Sequence, residues 1–305
     1  MECHRTSLNS SDRSRILQEL RKLVSDNNSD KLPTSGEFFY YFGLATVNSS
    51  MHHQKPDWKG YGQKGNEFCK KMYTLAHDFD NIITILHKIY FLTFQWQNNL
   101  LTEEHWRAYV KTDIQSFHTE LRSVCDSIAK ALQTSATKSG QVISSFEDLK
   151  TFCTKHREKA NIQIGNQLVE LIVDTDWFAE SRHFRDNIIH KERDLEVAYE
   201  QDGDLVGILF RTVFSNTPDN IYNGPKEFDI GNAGWLRLEP YAGYYVGRLW
   251  HFLNEMCRLT GERLELKKSG FSWVNPRLPR TLEFISQAIE SLEQGGATHM
   301  NNGSQ

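Results

Sequence analysis

The sequence predicts a mainly α-helical protein, an antiparallel helical bundle with a small antiparallel β insertion and further helices after it. Three observations carry that expectation. Apolar residues recur every three or four positions from Phe68 to Trp96 and again from Val110 to Leu132, which is the helical period. The break between the two runs, Asn98-Asn99-Leu100-Leu101-Thr102, is short enough to force an antiparallel pair. After Asp194 the pattern changes to β-prone runs flanking Asp202-Gly203, a hairpin signal.

The elements follow in order. Ser14 to Val24 reads as a short amphipathic helix, and residues 25–36 as a polar loop before an aromatic segment at 37–47. Residues 48–65, with three Gly, three Lys, two Ser and Pro56, read as loop. In the first long run (Phe68, Met72, Leu75, Phe79, Ile82, Leu86, Ile89, Trp96), Thr93 fills the gap in the spacing. Thr102, followed by Glu103 and Glu104, is a favourable start for the second run, and each helix should be about 45 Å long at 1.5 Å per residue. Next come Phe146 to Lys155, capped by Ser144 or Ser145, then Ala160 to Val173 with Gly165 as its weak point, then about Asp176 to Arg193. Strands are expected at Leu195–Glu200 and Leu205–Phe214, a long loop at 215–233, and a third strand at Trp235–Leu238. Pro240 sits where a first helical position would be, opening a helix that runs to Gly261. A last helix, Pro279 to Glu293, precedes a disordered tail at 294–305. The organisation is thus residues 1–65 as an N-terminal helix and loops and 66–193 as the bundle. Residues 194–293 are a hairpin plus C-terminal helices, either packed on the bundle or separate.

With a hydrophobic share of 39% and a charged share of 24% over 305 residues, the chain can bury a real core. A formal net charge of -4 excludes coating nucleic acid or an anionic membrane by bulk charge, so any RNA contact must be a local patch. Five single cysteines form no CxxC pair, and the N-terminus lacks an apolar signal core. The longest apolar cluster, Ile89 to Phe94, is too short to span a bilayer. The expected setting is cytoplasmic, with no membrane association.

The chemistry concentrates in Arg185-Asp186-Asn187-Ile188-Ile189-His190. Arginine supplies an always-charged planar fork suited to a phosphate or a phosphorane-like transition state, and histidine exchanges a proton near neutral pH. Together they suffice for metal-free cleavage of RNA, whose 2′-hydroxyl is an internal nucleophile. On an ideal helix His183, Asp186 and His190 share a face, so Asp186 is placed to orient or charge-balance His190. Arg185 lies about 140° around the helix from His190 and joins it through its long side chain, a local distortion or a second copy of the chain. His190 falls in the last turn, where the helix dipole favours its protonated form.

This segment, Arg-polar-x-x-x-His near the end of the last bundle helix with two apolar residues before the His, resembles the HEPN superfamily (higher eukaryote and prokaryote nucleotide-binding domains). The resemblance covers roughly residues 66–193. It implies a HEPN-like four-helix-type core, a homodimer with two motifs facing across a cleft, and metal-independent endoribonuclease activity in defence or a toxin-antitoxin system, with RNA as substrate and a cognate antitoxin as partner. By that analogy Arg185 stabilises the transition state, His190 acts on the 2′-hydroxyl or leaving group, and Asp186 fills the polar position, with Arg182, His183 and Lys191 as accompanying binding residues. The alternative is a non-catalytic dimeric helical module that binds a nucleotide, RNA or protein partner.

Other motifs carry less. Gly60-Tyr-Gly62-Gln-Lys64-Gly65 matches a dinucleotide fingerprint but has no preceding strand, leaving a basic loop at a helix N-terminus. A diiron bundle needs paired Glu-x-x-His motifs, and Glu180-Ser-Arg-His183 stands alone. No metal and no cofactor are expected. The basic strip Lys150, Lys155, Arg157 and Lys159 reads as a solvated face, with RNA contact as its second reading.

Overall fold

The computed structural model describes residues 62–135, 143–190, 193–202, 205–215, 217–218 and 234–265. The expectations for residues 14–24, 37–47, 279–293 and the tail lie outside them. Among the described residues the chain runs α1 (Gly62–Gln97), α2 (Glu103–Ser135), α3 (Phe146–Lys155), α4 (Arg157–Ile164), α5 (Asn166–Val173), α6 (Asp176–His190), β1 (Asp194–Asp202), β2 (Leu205–Phe214), β3 (Thr217–Pro218), β4 (Leu236–Arg237) and α7 (Leu238–Arg263). The protein is mainly helical with a small antiparallel sheet.

At 36 and 33 residues, α1 and α2 are about 54 and 50 Å long, longer than expected because α1 begins at Gly62. The last four residues of the segment 48–65 taken for loop are therefore the first turn of a helix. α1 ends in a Schellman motif: Asn99 takes φ 58°, its N–H donates to Trp96, and Leu100 N–H donates to Gln95. Thr102 then caps α2, its hydroxyl accepting from His105 N–H at 3.3 Å. Cross-links Asp78–Ser127, Lys88–Asp113 and Thr93–Trp106 pair rising with falling numbers, the signature of an antiparallel hairpin. The out-of-pattern Thr93 is buried and accepts Trp106 Nε1–H at 3.0 Å. A hydroxyl stands in the apolar stripe because a buried indole needs an acceptor.

Shorter helices close over this hairpin. Ser145 caps α3 in a capping box with Asp148. The single helix expected from Ala160 is two, since Gly165 at φ 96°, ψ 144° leaves the helical region between α4 and α5. α6 does not extend to Arg193, which leads directly into Asp194, paired with Val213 in the sheet. β1 and β2 pair in register as far as Asp202 and Leu205. Within the stretch expected to be loop, Thr217–Pro218 returns along the end of β2 after Ser215 at φ 50°. β4 is shorter than expected, because α7 starts at Leu238 with Pro240 in its first turn. One buried cluster contains residues of all seven of these helices and of β1, β2 and β4. Gly243 and Gly247 are both buried on α7. Cys125, Cys153 and Cys257 are buried thiols, and burial pushes the Cys153 thiol up to about 12.

Where β4 turns into α7, the ladder along β2 loses its partner strand, and the buried Glu239 carboxylate accepts Ile208 N–H at 3.0 Å instead. Burial raises the Glu239 carboxyl from an ordinary 4.5 to about 7, against the pull of that hydrogen bond. The folded state thus holds this proton more tightly than the unfolded one. The stabilisation is complete below about pH 4.5 and is lost as pH rises toward 7, by up to about 3 kcal/mol at 1.4 kcal/mol per unit. Buried His118, pushed down to about 3 by burial, acts oppositely below its ordinary 6.5. We therefore expect the difference in denaturant stability between wild type and Glu239→Gln to change across pH 4.5–7, the variant gaining on wild type, because His118 cancels in the comparison. A difference that stays constant over that range contradicts the assignment.

Candidate functional site

α6 presents a buried face and an outward arc. Trp177, Ser181, Phe184 and Ile188 are buried, while Arg182, Asp186 and His183 lie on the outward arc. The inner face is fixed by Phe184, which packs against His118 of α2 at 4.9 Å, Tyr241 of α7 at 6.0 Å and Phe210 of β2 at 6.0 Å. His118 Nε2 lies 3.3 Å from the Tyr241 hydroxyl, and burial keeps the ring neutral at ordinary pH. This histidine belongs to the core and is no proton donor for chemistry at the surface.

The end of the helix is held by a clasp absent from the motif. Asn187 is buried, its amide donates to His183 O at 2.7 Å, and its carbonyl accepts Arg193 Nη1–H at 2.9 Å. Arg193 in turn lies over the Phe214 ring at 5.3 Å. The turn that carries His190 is thereby tied to the sheet. His190 is the last residue of α6, one turn beyond Asp186; only its backbone is described. Lys191 lies outside the described residues.

On the outward arc Asp186 is the hub. Arg185 Nη1 donates to its Oδ1 at 2.8 Å, Arg122 Nη1 to the same oxygen at 3.3 Å, and Arg182 Nε lies 3.5 Å from Oδ2. Arg122 comes from α2, where Asp126 at 3.7 Å also faces it, and Arg182 is held from α3 by Glu147 at 3.1 Å. Partial burial would raise the Asp186 carboxyl, but the Arg185 hydrogen bond and the Arg122, Arg185 and Arg182 charges outweigh it and hold the carboxyl below the usual range. Its carboxylate is engaged by these three arginines, and the expected pairing with the His190 side chain lies outside what is described. The sequence placed Arg185 on the flank of the helix, and the side chain is only 15% exposed, folded over toward the arc through Asp186. Arg122, 64 residues from Asp186 in the chain, carries no sequence signal beyond being a polar flank of an amphipathic helix.

The remaining motifs divide. Glu180 is raised to about 7 by burial and by nearby Asp176, against Arg248 and Lys150, so it sits among α3 and α7 charges, while exposed His183 pairs with Asn187. Among the described residues no three His, Cys, Asp or Glu side chains gather in a way that could hold a metal ion. Lys150 and Arg157 of the basic strip are ion-paired with Asp176 and Glu170. Among the described residues no helix is long and apolar enough to cross a membrane. No family model, curated protein or solved structure matches the chain.

Proposed function

We propose that this chain is a HEPN-type endoribonuclease that cuts RNA without a metal, as a homodimer whose two α6 helices face each other. The observation that carries the reading is the gathering of Arg122, Arg182 and Arg185 on the outward arc of α6, one turn before His190. Guanidinium groups hold phosphates through paired N–H donors, and a histidine in the last helical turn exchanges protons at neutral pH. In the proposed reaction the 2′-oxygen attacks phosphorus, His190 manages the proton of the 2′-hydroxyl or of the departing 5′-oxygen, and Arg185 offsets the charge of the phosphorane. The products are a 2′,3′-cyclic phosphate and a 5′-hydroxyl end. Half-exposed Ile189, beside the arc, suits a contact between two copies. A cytoplasmic setting in defence or a toxin-antitoxin pair, with a cognate antitoxin as partner, belongs to the same reading.

A second reading is favoured by one observation: each arginine of the arc already faces a carboxylate, which suits holding a ligand more than reacting with it. On that reading the chain is a non-catalytic dimeric module that binds RNA, a nucleotide or a protein. Incubation of the purified protein with RNA in EDTA separates the two. Cleavage leaving cyclic phosphate ends supports the nuclease, and RNA bound but uncut supports the binding module.

A further inference from the structure

Among the described residues, three guanidinium groups from two helices converge on the single carboxylate of Asp186. Two oxygens of a carboxylate, gripped from several sides, present to arginine what two non-bridging oxygens of a phosphodiester would present. Asp186 is 31% exposed and sits on the outward arc, so its side chain can rotate to water without disturbing the core. Arg122 and Arg182 are also about a third exposed, and Asp126 and Glu147 hold them from elsewhere, so neither depends on Asp186 for its place.

We propose that Asp186 is a built-in stand-in for a phosphate of single-stranded RNA: Arg122, Arg182 and Arg185 form the phosphate seat, and the RNA phosphodiester displaces the Asp186 carboxylate from it. The inference rests on the reading of α6 as an RNA site, and adds to it a third arginine from α2 and a different role for Asp186. The carboxylate competes with the ligand. It occupies the seat when RNA is absent and weakens the arginines' hold on RNA when it is present. Substitution of Asp186 therefore strengthens binding, the reverse of what loss of a positioning carboxylate would do.

The test is equilibrium binding of a fluorescein-labelled, 2′-O-methylated single-stranded RNA, which has the phosphodiesters and lacks the nucleophile, so binding is read apart from cleavage. Asp186→Asn is expected to bind about three- to tenfold tighter than wild type, the scale of a few exposed ion pairs. Its affinity should fall more steeply with salt, by roughly 0.7 in the logarithmic slope for one added phosphate contact. Arg122→Ala should bind more weakly with a shallower slope. Binding by Asp186→Asn that equals or falls below wild type overturns the proposal, as does unchanged binding by Arg122→Ala. Melting temperatures are measured alongside, and if Asp186→Asn does not fold, Arg122→Ala decides alone. Inorganic phosphate is the competitor: displacement needing a large excess over RNA phosphate supports a polymer seat, and displacement at equal phosphate concentration overturns RNA as the ligand. Cleavage of unmodified RNA by wild type, with both variants binding as wild type, removes the seat and leaves the nuclease. Tighter binding by Asp186→Asn without any cleavage does the opposite.

Discussion

His190→Ala is expected, on the nuclease reading proposed above, to lower metal-free RNA cleavage by about 10²- to 10⁴-fold, the usual worth of a positioned proton-transfer group. The reason is local. His190 ends α6 in the turn that the Asn187–Arg193 clasp ties to the sheet. The core side of α6 is Phe184 and Ile188, and the end of the helix is secured by Asn187. The variant should therefore melt within a few degrees of wild type while losing turnover. The check is the initial rate of cleavage of a fluorogenic RNA in EDTA, with melting followed in the same buffer. Equal rates for the two proteins would remove His190 from the chemistry.

Trp106→Ala is expected to cost about 3–5 kcal/mol of stability, the range for deleting a fully buried aromatic side chain. Trp106 is fully buried, stacks on Trp96 at 4.7 Å, meets the edge of Tyr199 at 6.0 Å and donates to Thr93 at 3.0 Å. One side chain thus joins α1, α2 and β1. Its removal leaves a cavity and strips the buried Thr93 hydroxyl of its indole donor. For a domain of this size the loss corresponds to a fall in Tm of roughly 6–20 °C, read by circular dichroism or calorimetry. α6 is held separately through Phe184, His118 and Tyr241. Well below its melting point the variant should still cut RNA, which separates this effect from that of His190. A melting temperature unchanged by the substitution would contradict the role given to Trp106.

What was legible in the sequence follows from which interactions are local. The α1–α2 hairpin could be read because its apolar stripe repeats over many turns and its ends carry Asn99 and Thr102. The break at Gly165 was visible as a weak point, yet only tertiary packing decides whether a helical glycine bends or is carried through. The start of α1 was misplaced because glycines and lysines in a first turn look like loop residues. Thr217–Pro218 was missed because a strand of two residues has no period to detect. At the site, the shared face of His183 and Asp186 follows from helical geometry alone. The partner of Asp186 does not. Arg122 reaches it across the bundle, and a cross-chain contact between two amphipathic flanks leaves no mark in the spacing of either.

Arg185 and His190 lie about 140° apart around the same helix, and the proposed nuclease joins them across two copies of the chain. It pairs Arg185 of one protomer with His190 of the partner subunit. Mixing purified Arg185→Ala with His190→Ala, which keeps Arg185, measures this directly as RNA cleavage in EDTA after subunit exchange, each variant alone lacking half of every site. Half of the redistributed dimers are hybrid and each hybrid has one intact site of two, so the account predicts recovery of roughly a quarter of wild-type activity. A mixture no more active than its two components would contradict it.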